Sequence, residues 1–167
     1  MHFENEVGIK IRNEWQKASL NLLYTYGFLF NGYESFFKRY GLTTQQYNAI
    51  RILRDQYPTP ISTSGLRDKM LDKMSDTSRL VSRLNAKGFV DVKQNPHDKR
   101  LVNIIISAKG LRLMEAIEPE LNLLDSMMQD LSEEEATTLS ELLTKVRSSV
   151  KSASRKVRNA APVAEIN

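Results

Sequence analysis

Apolar residues recur every three or four positions along most of this 167-residue chain, which is the spacing of one face of an α-helix. The first such stripe runs from Val7 to Phe37 and is unusually rich in aromatic residues. Residues that favour helix starts then occur at Thr43, Ser62 and Ser75, each ahead of a further apolar pattern. The first half of the chain is therefore predicted to be helical.

The helix predicted to begin at Ser75 and to end at Gly88 has two chemically different faces. The apolar face is expected to be buried and consists of Thr77, Leu80, Val81 and Leu84. The opposite face consists of Ser75, Arg79, Ser82 and Ala86, flanked by Ser78 and Arg83. An arginine among hydroxyls is suited to phosphates and base edges. A face that only meets solvent would usually be richer in Glu and Gln, so this face is interpreted as a contact surface.

Two short stretches after Gly88 alternate with a period of two, as expected for half-buried β-strands. The outgoing strand carries Val90 and Val92, and the return strand carries Val102, Ile104 and Ile106. The loop between them, residues 95–100, ends in Lys99 and Arg100. A capped helix followed at once by a hairpin with a basic tip is the order that a winged helix-turn-helix requires.

The last part of the chain returns to helical spacing. Ser107 is predicted to begin a helix whose apolar residues continue to Met128, and Pro119 within it predicts a kink, because proline removes a donor and clashes with the preceding turn. A capping box at Ser132 begins the final helix. The periodicity then fades, and residues 153–167 are predicted to form a mobile basic tail.

Charge is distributed unevenly along the chain. The net charge is +4, yet residues 61–110 carry ten Lys and Arg against five Asp and Glu, whereas residues 111–146 carry two against nine. A basic middle beside an acidic stretch favours a polyanion-binding face separate from other surfaces, although a solvated charge pattern would give the same asymmetry.

Several classes of chemistry find no support in the composition. The chain has no cysteine, which excludes disulfides, thiolate nucleophiles and cysteine–zinc sites. Its two histidines, His2 and His97, belong to no triad or ligand cluster, and no glycine-rich phosphate loop occurs. We therefore expect no enzyme, no metal and no cofactor. The N-terminus lacks the features of a signal peptide and no apolar run is long enough to cross a membrane, so a cytoplasmic protein without membrane contact is expected.

The residues from about Leu42 to Ile117 resemble the winged-helix regulators of the MarR (multiple antibiotic resistance regulator) family. The most specific part, DKRLVNIIISAKG from Asp98 to Gly110, is similar to that family's Asp-x-Arg wing, apolar strand and hydroxyl-x-x-Gly helix start. The stretch SRLVSRL and the following KGFV resemble its recognition helix and the exit from it. The sequence Asn-Pro-His at 95–97 is less basic than many family wings, and without cysteine the family's thiol-oxidation sensors do not apply.

The resemblance implies a mainly α fold with a small β-hairpin wing (α+β). Residues 42–110 would form the winged helix-turn-helix lobe that binds DNA. Residues 1–41 would form an N-terminal dimerisation helix and residues 111–152 the C-terminal dimerisation helices. Members of the family are obligate homodimers with interlocking helices from both chain ends, and the aromatic N-terminal stripe fits a surface that faces a partner.

The residues expected to bind double-stranded DNA follow from the two faces and from the wing. The major-groove set is Ser75, Thr77, Ser78, Arg79, Ser82 and Arg83, and the wing adds Lys99 and Arg100. Arg79 is expected to contact guanine, and Arg100 to enter the minor groove. Asp98 is expected to hold Arg100 by a hydrogen-bonded ion pair, unless the two form only an ordinary exposed turn pair.

The expected function is that of a sequence-specific transcriptional regulator, a repressor that binds a pseudo-palindromic operator as a homodimer. The resemblance also implies a pocket for a small aromatic or amphipathic effector that releases the DNA. Trp15, Tyr24, Phe28 and Tyr47 are the candidates to line it, although aromatic residues at helical spacing are more often part of the core. The alternative is a winged-helix module for protein–protein contacts or small-molecule sensing, with DNA binding secondary.

Overall fold

The computed structural model describes residues 3–96 and 98–158, with the backbone alone for 155–158. The expected mainly helical fold with a hairpin wing is confirmed. In chain order the elements are α1 Phe3–Val7, α2 Glu14–Lys38, α3 Thr44–Gln56, α4 Thr63–Lys69, α5 Thr77–Ala86, β1 Val90–Gln94, β2 Val102–Ile106, α6 Ala108–Ile117, α7 Asn122–Asp125 and α8 Glu133–Arg158. Among the helices of the described residues, none combines the length and apolar character that a membrane crossing needs.

Side-chain caps set the starts of the helices around the wing. Thr43 accepts the N–H of Gln46 while the Gln46 side chain accepts the N–H of Thr43, which is the reciprocal capping box. Ser62 caps α4 and Ser107 caps α6 by a single hydrogen bond, each hydroxyl accepting the backbone N–H of the glycine three residues on. Gly88 has a φ of 75°, so it ends the segment after α5 in the left-handed region, as expected.

The wing is an antiparallel hairpin in which Val90 pairs with Ile106 and Gln94 with Val102. Beyond the hairpin, Ile61 and Ile104 exchange two backbone hydrogen bonds of 2.9 and 2.8 Å. Ile61, two residues before α4, is thus bonded to the return strand of the wing.

The chain divides into two compact units, residues 1–124 and 125–167. The first contains a buried apolar core in which α3, α5 and the hairpin contribute side chains such as Ile50, Leu84 and Ile104. The expected lobe ended at residue 110, but α6 belongs to this unit as well because its Met114 and Ile117 are buried in the same core.

The N-terminal stripe does not form one continuous helix. Gly8 has a φ of 65° and ends α1, and α2 begins only after Asn13, whose side chain accepts the N–H of Gln16. The apolar spacing from Val7 continues across this break, so periodicity alone could not reveal it. The glycine and the Asn cap were the local signals.

The two remaining boundaries also differ from the sequence expectation. At Pro119 the helix ends rather than kinks, since α6 stops at Ile117 and a 3₁₀ turn spans Glu118–Glu120. The expected tail begins later than residue 153, because α8 continues to Arg158. Its serine, alanine, lysine and arginine residues are all compatible with a helix, and no glycine or proline occurs there. Residues 159–167, and with them most of the expected mobile tail, lie outside the described residues.

Candidate nucleic-acid interface

The helix that carries the candidate base contacts is capped by Asp76, not by Ser75 as expected. The Asp76 carboxylate accepts the backbone N–H of Arg79 at 3.1 Å. The Ser75 hydroxyl instead donates to the carbonyl of Asp72 at 3.0 Å and is half-buried. A carboxylate at this end also complements the helix dipole, so the N-terminus of α5 is fixed while its outer face stays open.

Four of the six predicted major-groove residues lie on the exposed face of α5: Ser78, Arg79, Ser82 and Arg83. Thr77, which was predicted with them, is not on this exposed face and only borders the groove beside it. Its exposed fraction is 3%, because the helical register places it with Leu80, Val81 and Leu84 against the core. The contact face is therefore narrower than the sequence suggested and is dominated by two arginines and two hydroxyls.

The wing tip presents Lys99 and Arg100 to solvent. Asp98 does not hold the guanidinium of Arg100 as expected. Its carboxylate accepts the backbone N–H of Arg100 at 2.9 Å, which is the turn in which an Asp side chain substitutes for a backbone acceptor. Asp98 thus shapes the turn, and the arginine side chain extends from it.

An open groove of about 400 Å³ joins the recognition helix to the wing. It is lined by Thr63, Ser64, Arg67, Ser75, Asp76, Thr77, Ser78, Arg100, Leu101 and Val102. Two cations, Arg67 and Arg100, therefore face the same space as the first turn of α5. Hydroxyls and guanidinium groups in one groove are suited to binding phosphate oxygens.

Sequence reasoning missed the contribution of α4 to this groove. Leu66 and Met70 are buried, so Thr63, Ser64 and Arg67 are left on the polar side of a helix only seven residues long. That pattern was visible in the sequence. The sequence did not show that Arg67 and Arg100 line the same groove, because this depends on how the hairpin packs against α4.

The four residues expected to line an effector pocket are not gathered within this chain. Trp15 is 84% exposed at the start of α2, and Tyr24 and Phe28 contact each other edge to face in the middle of α2. Tyr47 lies on α3 and stacks on Phe37, with ring centroids 4.0 Å apart. Burial raises the pKa of the Tyr47 hydroxyl. Tyr47 is thus a packing residue, and the other three lie on an exposed helix.

Metal chemistry finds no side chains to support it in the described part of the chain. No three Asp, Glu or His side chains among those residues come together in a way that could hold an ion. His97 lies outside the described residues.

Comparison with known proteins finds similarity to one family of regulators. The profile of the MarR family matches residues 42–102, which span α3 to the start of β2. The HTH-type transcriptional regulator MhqR of Bacillus subtilis (strain 168) is 28% identical over 109 residues, covering 65% of this chain and 74% of that protein.

Solved structures agree in fold. A MarR transcription factor from Planctomyces limnophilus is 27% identical, with a TM-score of 0.62 over 81% of this chain and 98% of its own. The MarR family regulator Sco3205 of Streptomyces coelicolor, solved in complex with DNA, has a TM-score of 0.73 at 19% identity, covering 84% and 94% of the two chains. The segment from α3 to β2 is therefore similar to the MarR family, whose members are transcription regulators and not enzymes.

Proposed function

We propose that this chain is a MarR-family transcription regulator and that it binds double-stranded DNA in a sequence-specific manner through α5 and the wing. One observation carries the proposal. The exposed face of α5 presents Ser78, Arg79 and Ser82 directly beside a groove that contains Arg67 and Arg100. Such a surface offers base-reading and phosphate-binding groups side by side. The Streptomyces coelicolor regulator that shares this fold was solved in complex with DNA, which is consistent with a DNA-binding role for the fold.

In this mode α5 enters the major groove with its N-terminal residues at the base edges. Arg79 lies in the first turn of α5 and is the residue best placed for a bidentate contact to guanine O6 and N7. Arg100 at the wing enters the adjacent minor groove, where a narrow groove concentrates negative potential. Lys99 and Arg67 add phosphate contacts, which contribute affinity without sequence preference.

We further propose that two copies bind together. Each unit of the chain has an exposed apolar surface in the region expected to dimerise. On α2 these side chains are Trp15, Leu22, Leu23, Tyr26 and Phe28, and on α8 they are Leu142, Val146 and Val150. Such surfaces on helices that also carry polar faces are typical of an interface with another protein. Two copies would present two recognition helices to successive major grooves.

The bound site is therefore expected to be an imperfect palindrome with half-sites about 10 base pairs apart. Selecting duplexes from a random pool with the full chain and footprinting the recovered sites would measure this. Sedimentation of the free protein would separately give its oligomeric state. Recovery of no duplex at low salt would contradict DNA binding and leave the protein–protein or sensing module, and an asymmetric single half-site would contradict the dimer.

Replacing Arg100 with alanine is expected to weaken binding to many sequences alike and to reduce the slope of log affinity against log salt by about one unit. The physical reason is that a cationic side chain bound in the minor groove or at a phosphate displaces counterions from the DNA but distinguishes little between base sequences. Fluorescence anisotropy over a salt series measures the slope. Arg112→Ala, an exposed arginine on α6, is the matched control and should leave the slope unchanged. An unchanged slope for Arg100→Ala would remove the wing from the interface.

We also propose that the protein represses transcription and that a small effector releases it from DNA. A regulator bound across a promoter blocks transcription, and a small aromatic or amphipathic effector would release it by favouring a spacing of the two recognition helices that does not fit DNA. Since Trp15 and Tyr47 do not join the contacting pair Tyr24 and Phe28 within one chain, such a pocket would require residues from the second copy.

A further inference from the structure

Two of the most exposed apolar side chains of this protein lie in the turn between α4 and α5, immediately before the recognition helix. Met74 is 92% exposed and Leu71 is 81% exposed. Among the described residues, only Trp15 is comparable, and the next large apolar side chain, Leu23, is 66% exposed. Single exposed apolar residues are common. Two within four residues of chain, beside a proposed binding surface, call for a physical reason.

The backbone of this turn is held in place by polar side chains of α3. The side chain of Asn48, which is 5% exposed, accepts the N–H of Leu71 at 3.0 Å. Gln45 donates to the carboxylate of Asp72 at 2.7 Å, and the same carboxylate accepts the N–H of Met74 at 2.9 Å. Two polar side chains of α3 thus fix the turn in a conformation that keeps both apolar side chains out of the core.

The position of the turn indicates what these side chains meet. In a helix-turn-helix the N-terminal residues of the recognition helix approach the base edges. Met74 lies two residues before the cap of α5, adjacent to Ser75, which lines the groove shared with Arg100. An apolar group at this place cannot pair with a phosphate. The apolar feature of the major groove is the 5-methyl group of thymine.

We propose that Leu71 and Met74 are specificity-determining residues that contact thymine methyl groups in each half-site. This proposal rests on the DNA binding proposed above and deepens it. Arg79 would select guanine through hydrogen bonds, while the turn would select thymine through apolar contact. The two kinds of readout lie next to each other at the N-terminal end of the recognition helix.

The test uses the full chain and the duplex selected from the random pool. A series of duplexes is synthesised in which deoxyuridine replaces one thymidine at a time, and each is compared with the unmodified duplex. Deoxyuridine keeps every hydrogen-bonding group and lacks only the methyl. With the unmodified protein, at least one replacement per half-site is expected to weaken binding about fourfold, the value of one buried methyl group. The double variant Leu71→Ala/Met74→Ala should bind the unmodified duplex more weakly. For this variant, the same deoxyuridine replacement in the DNA should cause no further loss of affinity.

Met74→Leu is the matched control, since it keeps an apolar side chain of similar size and should retain the preference for thymine. Met74→Gln keeps the length but not the apolar surface and should lose it. If the unmodified protein binds its duplex and responds to Arg79→Ala, yet no deoxyuridine replacement matters, this proposal fails while the proposed function stands. If the protein binds no duplex, both fail. A changed oligomeric state in Met74→Ala would assign the turn to a second copy and overturn the proposal.

Discussion

Replacing Gly110 with alanine is expected to lower the free energy of unfolding by about 3 kcal/mol, the upper part of the range for an overpacked site. A Cβ atom at this position would lie 2.3 Å from the carbonyl oxygen of Phe89 and 2.7 Å from Cγ1 of Ile106. The carbonyl cannot move away freely, because it accepts the N–H of Ser107 at 3.0 Å. The start of α6, the end of the α5 segment and the return strand of the wing would therefore all have to shift. Urea unfolding followed by circular dichroism measures the change.

Gly27→Ala is the matched control for this prediction. Gly27 lies inside α2, and a Cβ there would meet no atom within 4 Å. Alanine favours a helix interior by about 1 kcal/mol over glycine, so this variant is expected to be slightly more stable. Equal effects of the two substitutions would show that the close approach at Gly110 is not a constraint on the fold.

Replacing Arg79 with alanine is expected to reduce affinity for the selected duplex by about tenfold to a hundredfold, which corresponds to the loss of one bidentate contact to guanine. The side chain is exposed and the cap of α5 uses only its backbone N–H, so the variant should fold normally. The recovered sites should lose their preference at one or two base pairs per half-site and keep it elsewhere. Repeating the random-pool selection with the variant measures this.

Arg83→Ala distinguishes the two arginines of the same helix face. Arg83 lies one turn further along α5, away from the N-terminal residues that approach the bases, and is expected to contribute mainly phosphate affinity. Its loss should weaken binding without changing the recovered sequence. Unaltered base preferences in Arg79→Ala would mean that another side chain reads the guanine.

The fold was predictable from local rules wherever one residue determines the local geometry. Thr43, Ser62 and Ser107 cap helices as their sequence positions indicated, and Gly88 ends the α5 segment in the left-handed region. The choice between adjacent caps was not decided by such rules. Ser75 and Asp76 are both good caps, and the contact of the Ser75 hydroxyl with Asp72 depends on the tertiary position of the preceding turn.

The candidate site was predictable in its chemistry and less so in its detail. Helical periodicity placed Arg79 and Ser82 on an exposed face, and the same periodicity should have excluded Thr77, which shares the register of Leu80. The backbone of the wing turn determines that the Asp98 carboxylate bonds to the N–H of Arg100 and not to its guanidinium. The spacing of the two residues in the sequence cannot distinguish these two donors. Arg67 and Arg100 line one groove because of contacts between residues that are distant in the sequence.

The paired hydrogen bonds between Ile61 and Ile104 have a consequence for how the protein would dissociate from DNA in the proposed complex. They connect the start of α4 to the hairpin, and α4 in turn packs against α5. If two copies bind DNA as proposed, a tilt of one winged-helix lobe relative to the other would therefore move α5 and the hairpin together. We therefore expect α5 and the wing to leave the DNA in one step, without a stage in which only the wing is detached.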